Sequence, residues 1–165
     1  MNESQVRQIT IDLLKQHDLY GKVTLKFGSA RSQLGSYRAG HRNGVPVRIF
    51  TVSMALALVN SEEELRDTVL HEIAHAIAGI SAGHGPEWKS VARRIGATPK
   101  ATARRTNSPE PRYRATCTCG QSFKRERLAA GKRYCTPCYN KGLREELVWV
   151  HTTNFTAHLT ARIPA

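Results

Sequence analysis

Cysteine is missing from the first 116 residues, and all four cysteines fall between 117 and 138. That clustering excludes a disulfide framework spread over the fold and points instead to metal binding in a reducing compartment. The N-terminus carries acids and amides and no apolar h-region, so no secretory signal is read there. Long hydrophobic runs are also lacking. The longest, Val52 to Val59, contains Ser53 and is far too short to span a bilayer. No internal repeat, phosphate-binding loop or cofactor fingerprint occurs. The expectation is a cytoplasmic protein with no membrane partner.

Acidic residues are scarce. The chain of 165 residues has 25 Lys and Arg against 13 Asp and Glu, a net charge of +12, which suggests a polyanionic partner. The surplus is uneven. Residues 1–99 are net +3, whereas residues 100–146 are net +8. The basic footprint is therefore read as the region after residue 99.

Val6, Ile9, Leu13 and Leu14 recur at helical spacing, predicting a helix over roughly 3–19. Val23, Leu25 and Phe27 alternate as a short strand. Strands are also expected at about 34–39 and 45–51, joined at Gly40–Gly44. Ser61 followed by Glu64 reads as a capping box opening a helix. Gly85-Pro86 opens another, with Trp88, Val91, Ala92 and Ile95 on one face and Gly96 at its end. Residues 97–112 are poor in apolar groups and contain Pro99, Pro109 and Pro111, the composition of a linker. Alternation over 155–163 reads as a half-buried strand.

The helix from Ser61 is apolar nearly all round, yet it holds His71, Glu72 and His75. Residues four apart on a helix are separated by about 40° round the axis, so both imidazoles point the same way. Buried polar groups need partners, and H-E-x-x-H is the sequence form in which zinc supplies one. A third ligand must come from outside the helix. His84, between Gly83 and Gly85, is the first choice and Glu87 the alternative. The metzincin extension would need glycine at 78 and histidine at 81, where the chain has Ala78 and Ser81. Peptide deformylases take a ligand from an upstream cysteine, and none exists here.

Cys117, Cys119, Cys135 and Cys138 read as a zinc ribbon, four thiolates round a structural ion, with Leu147 to Val150 offering a further strand. Lys124, Arg125, Arg127, Lys132 and Arg133 fall on or near its hairpin, and Arg104 and Arg105 precede it. These seven are the candidate nucleic-acid contacts. Phe123 and Tyr134 either stack on bases or, the simpler reading, pack the ribbon's small core.

The stretches "HEIAHAIAGISAGHGPEWK", "CTCG…YCTPC", "RSQLGSYR" and "VSMALALV" together resemble the SprT-like family, which includes the Spartan proteases of DNA–protein crosslink repair, in a short bacterial or phage-type form. The resemblance spans roughly residues 5–140 and implies an α+β fold. A zincin-like catalytic domain would occupy 1–98, a basic linker 99–112, and a small β zinc ribbon with the C-terminal strand 113–165. It implies two Zn2+ ions, one catalytic on His71, His75 and His84 and one structural on the cysteines, with Glu72 as general base. It also implies DNA of single-stranded character and DNA-bound protein substrates as partners, and a place at the nucleoid or, for a phage protein, in the host cytoplasm. His41, His151 and His158 match no ligand position, and Tyr37 and Arg38 are the candidates for a second oxyanion-stabilising group. The alternatives are a nucleic-acid-binding ribbon module on a scaffold-like or very slow core, and, with less behind it, a hydrolase of small molecules.

Overall fold

A computed structural model describes residues 1–101 and 107–152. The chain is mixed α+β and falls into two compact units, Met1–Pro109 and Glu110–Ala165. The expected strand at 155–163, with His158, and the pair Arg104 and Arg105 lie outside the described residues.

In the first unit, α1 (Glu3–Gln16) starts at Asn2, whose side chain and that of Gln5 form a reciprocal capping box. It buries Val6, Ile9, Leu13 and Leu14, the stripe its periodicity predicts. It ends three residues short of the expected 19. Asp18 takes a left-handed conformation (φ 55°), and the chain turns back so that the Leu19 amide donates to the Leu14 carbonyl at 2.8 Å. Leu19 thereby enters the core.

Strands β1 (Thr24–Gly28), β2 (Gly35–Arg42) and β3 (Val45–Ser53) form one sheet in the order β1-β3-β2. β3 is central, parallel to β1 and antiparallel to β2. The β2–β3 connection is tighter than Gly40–Gly44. Asn43 and Gly44 alone form the turn, both with positive φ (52° and 78°), the primed geometry that matches strand twist. The apolar run after β3 becomes a short helix, α2 (Met54–Ala57), capped by the Ser53 hydroxyl.

Helix α3 (Glu62–Ala78) has the predicted Ser61/Glu64 capping box. It packs with α1 on the sheet face that carries Phe50 and Val52, both fully buried. Helix α4 (Pro86–Ile95) begins with proline in its first turn and ends on a left-handed Gly96. Two side chains fasten the stretch that follows. Asp67 accepts from the Thr98 amide at 2.7 Å. Asn60 donates to the Asn107 carbonyl at 3.0 Å and accepts from the Asn107 amide at 3.1 Å.

The second unit is a small antiparallel sheet, β4 (Tyr113–Thr116), β5 (Ser122–Arg125) and β6 (Val150–His151), in the order β5-β4-β6, with a short helix α5 (Thr136–Asn140). Its core is Ala115, Cys117, Cys135, Cys138 and Leu147, with Phe123 and Trp149 packed against it. The expected strand at Leu147 to Val150 forms only at its end. Leu147 turns into the core while its amide bonds the Arg133 carbonyl at 2.7 Å.

The start of β2 lies hard against α3. A Cβ added at Gly35 would stand 2.7 Å from Thr68 Cγ2 and 3.2 Å from Glu72 Cγ. Thr68 is itself buried, so its methyl has little room to move aside. Gly35→Ala should therefore cost about 1–3 kcal/mol, the range for an overpacked core. Urea unfolding of the purified chain measures this, and an unchanged midpoint would show that β2 and α3 yield at that contact.

Candidate metal centres

Helix α3 delivers His71 and His75 one turn apart, and Gly79 ends it with φ 85°. A single 3-10 turn, Ile80–Ala82, and Gly83 (φ 50°) reverse the chain. The Gly85 amide closes the corner on the Ala82 carbonyl at 2.9 Å, and a Cβ at Gly85 would sit 2.9 Å from that oxygen. The two glycines flanking His84 thus have separate tasks. Gly83 permits the reversal, and Gly85 permits the close approach before α4 starts.

The result is convergence. The Nε2 atom of His84 lies 3.1 Å from Nε2 of His75 and 3.1 Å from Nε2 of His71. Three nitrogens about 2.0–2.1 Å from one tetrahedral ion stand about 3.3 Å apart. A proton bridges only one such pair at a time, so mutual hydrogen bonding leaves a nitrogen unserved, whereas a cation serves all three. Burial, then the neighbouring histidines, pulls His71 down to about 4, and burial followed by His84 lowers His75. Both imidazoles are thereby held neutral, the form that ligates metal. Glu87 is exposed on α4 and takes no part in the cluster, which His84 completes.

Glu72, between the two helix histidines, is 8% exposed. Its Oε2 accepts from the Tyr37 amide at 2.7 Å. Burial raises its pKa to about 7, while that hydrogen bond works in the opposite direction. A carboxyl poised there exchanges protons readily near neutral pH. Tyr37 packs its ring on the core side of the sheet. Arg38, the next residue, alternates to the opposite face and is exposed there.

Trp88 forms the wall behind the imidazoles. It is fully buried, and its ring centroid lies 4.7, 5.3 and 4.6 Å from those of His71, His75 and His84. Sequence reasoning places Trp88 on the buried face of α4 but does not connect it with the histidines. The signal available is its position four residues after His84, one helical turn into α4. The backbone amide of Tyr37 and the bare Cα of Gly35 carry no sequence signal of their own.

In the second unit all four Sγ atoms lie within 4.8 Å of one another, with Cys117 to Cys138 and Cys119 to Cys135 both at 3.7 Å. Four sulfurs about 2.3 Å from one ion stand about 3.8 Å apart in a tetrahedron, against about 2.05 Å for a disulfide. The cysteines therefore fit a tetrathiolate site. The first pair sits on a tight turn in which the Gly120 amide donates to the Cys117 carbonyl at 2.9 Å; of the second, Cys135 stands at the N-cap of α5 and Cys138 lies within the helix. The cluster favours ionisation at Cys119 and opposes it at Cys138. Cys138 is pushed up to about 12, chiefly by its contact with Cys119 and by burial, while the Gln121 amide helps draw Cys119 down to about 7. A cation resolves that conflict by stabilising every thiolate at once.

Among the described residues these are the two clusters able to hold a metal. His41 is exposed on β2, and His151 lies against Tyr113 on the ribbon sheet, so both stand apart from them. Lys124 and Arg125 lie on β5, Arg127 follows it, and Lys132 and Arg133 precede Tyr134. Phe123 packs on the ribbon core as expected. Tyr134 instead lies 5.5 Å, ring to ring, from Tyr139. No helix among the described residues is long and apolar enough to cross a membrane. A family model described as SprT-like family matches residues 10–109. The match takes in both histidine-bearing segments and stops short of the cysteines.

Purified protein should contain two zinc ions per chain by metal analysis. Cys135→Ser should reduce that to one and abolish the ribbon's folded signals in NMR, because so small a core folds only with its ion. His84→Ala should remove the other ion and leave the ribbon intact. A stoichiometry of one in the wild type, unchanged by Cys135→Ser, would exclude the ribbon site.

Proposed function

The chain belongs to the SprT-like family, and from that premise we propose that it is a zinc-dependent metalloendopeptidase acting on proteins bound or crosslinked to DNA. One observation carries the hydrolytic part of this reading: three converging imidazole nitrogens with a buried, backbone-anchored carboxylate on the same helix turn. When bound, zinc supplies Lewis acidity and brings the pKa of a coordinated water towards ~7.

The chain's own residues do the rest. His71, His75 and His84 hold the ion, and Trp88 packs against all three rings and limits their rotation. Glu72 takes a proton from the attacking water and passes it to the departing amine. The Tyr37 amide keeps one oxygen of Glu72 engaged, which leaves the other for that transfer. β2 is an edge strand of the sheet, covered by α3 at its start, where Glu72 takes the Tyr37 amide. An extended polypeptide can add further along that edge, beyond Tyr37, held by main-chain hydrogen bonds with little demand on its side chains.

DNA is assigned as a partner on the chemistry of the ribbon. A cleft of about 360 Å³ is lined by Phe123, Tyr134, Tyr139 and Trp149 together with Arg125, Lys132 and Arg133. The Arg125 guanidinium stands over the Trp149 ring at 5.7 Å. Flat rings among cations suit unstacked bases and their phosphates, the combination used to hold single strands. Holding enzyme and substrate on one polyanion raises their effective concentration and supplies a selectivity that an undemanding peptide groove does not.

Glu72→Gln should retain zinc at the histidines and the native thermal transition while lowering cleavage of a DNA-binding protein by about 10²–10⁴-fold, the usual worth of a general base. Loss of the ion in this variant would mean that Glu72 is a ligand. Single-stranded DNA should stimulate wild-type cleavage, and the stimulation should fade as salt rises. Replacing Lys124, Arg125, Arg127, Lys132 and Arg133 by glutamine should diminish that stimulation and leave cleavage without DNA unchanged. An unaltered response across the salt series would remove the ribbon from the mechanism.

A further inference from the structure

The modest charge of residues 1–99 conceals a segregation. Between Asp18 and Glu62 the chain has no acidic residue, yet it carries Lys22, Lys26, Arg31, Arg38, Arg42 and Arg48. That stretch builds the entire three-stranded sheet. The acids of the same unit lie in or beside α1, α3 and α4. That stretch is therefore +6, whereas the helices are net negative.

Strand alternation sorts these cations by face. Phe50 and Val52 point into the core, so Val47, Ile49 and Thr51 point to the other side of β3. The pairing register carries this across the sheet. Lys26 and Ser36 flank Thr51, Thr24 and Arg38 flank Ile49, and Arg42 pairs with Val45 near the hairpin turn. Lys26, Arg38 and Arg42 are exposed, and among the described residues none of them takes part in an ion pair. Hydroxyls of Thr24, Ser36 and Thr51 stand between them.

We propose that this outer face of the β1-β3-β2 sheet is a second nucleic-acid contact surface, which holds phosphates through Lys26, Arg38 and Arg42 independently of the ribbon cleft. It rests on the reading of the chain as a DNA-directed protein and adds a contact on the catalytic unit itself. Guanidinium, ammonium and hydroxyl donors are the groups that phosphate and sugar oxygens accept from. The absence of any carboxylate over the whole stretch leaves nothing to repel a polyanion approaching the sheet. A lipid surface fits less well. The face presents no Trp, Phe or Leu to enter an acyl layer.

The test uses the full zinc-loaded chain and a fluorescent single-stranded oligonucleotide titrated over a salt series. The variant is Lys26→Gln/Arg38→Gln/Arg42→Gln, with zinc content and thermal midpoint as controls of folding. Each contact to a single strand contributes about 0.7 to the slope of log affinity against log salt, so the slope should become shallower by about 2. At 0.1 M salt this corresponds to binding weaker by up to roughly 100-fold. Combining it with the five ribbon substitutions should reduce the slope further than either set alone. Should the triple variant fail to fold, Arg42→Gln alone must lower the slope by about 0.7. An affinity and slope equal to wild type overturn the proposal, as does wild-type binding to anionic lipid vesicles but not to the oligonucleotide. Sheet-dependent DNA binding by a wild-type chain that cleaves no protein would uphold this surface and sink the protease reading, so the two failures are separable.

Discussion

Three imidazole nitrogens whose lone pairs meet at one point cannot satisfy one another, and in this chain they meet against a buried tryptophan. Most of the first unit can be understood as what it takes to impose that arrangement. A helix apolar on nearly every side anchors two of the rings, and a glycine-bounded corner of seven residues, Gly79 to Gly85, returns the third. The sheet contributes one backbone amide, which turns Glu72 to its place. That contact is short enough that β2 must begin on a residue with no side chain. Neutral imidazoles and a carboxyl with a raised pKa follow from the same burial. Electrostatics and packing are here one constraint.

The two units meet the demand for a metal in different ways. The histidine site is set within a core that includes Trp88, Ala74, Val91 and Ala92, so much of its geometry is held by packing. The cysteines are themselves most of the ribbon's core. Removing an ion from the first leaves a hydrophobic framework standing. Removing it from the second leaves little to hold the strands together.

How much of this was legible in the sequence depends on range. His71, Glu72, His75 and His84 announce themselves because ionisable groups are out of place in an apolar run, and the Ser61/Glu64 box and Gly85-Pro86 are local chemistry. The Asn43-Gly44 turn was equally local, and its dipeptide is a strong hairpin signal; a broader join at Gly40–Gly44 blurred it. The Gly35 contact and the Tyr37 amide were not legible, since they depend on residues some 35 positions apart meeting in space. The segregation of charge within residues 1–99 was hidden for another reason. Averaging over residues 1–99 added the acids of the helices to the cations of the sheet, and only topology puts them on different sides.

The Asn60 and Asp67 hydrogen bonds have a bearing on how this chain can vary. They hold Thr98 to α3 and Asn107 to the residue just before its cap, so a chain passing between those two points has both ends anchored. For a loop closed at both ends, doubling its length costs only about 0.6 kcal/mol. Added length between those anchors is therefore cheap thermodynamically, whereas loss of either anchoring side chain is not. A lineage could retune the charge it presents there over many substitutions without touching the stability of the fold or the geometry at the histidines.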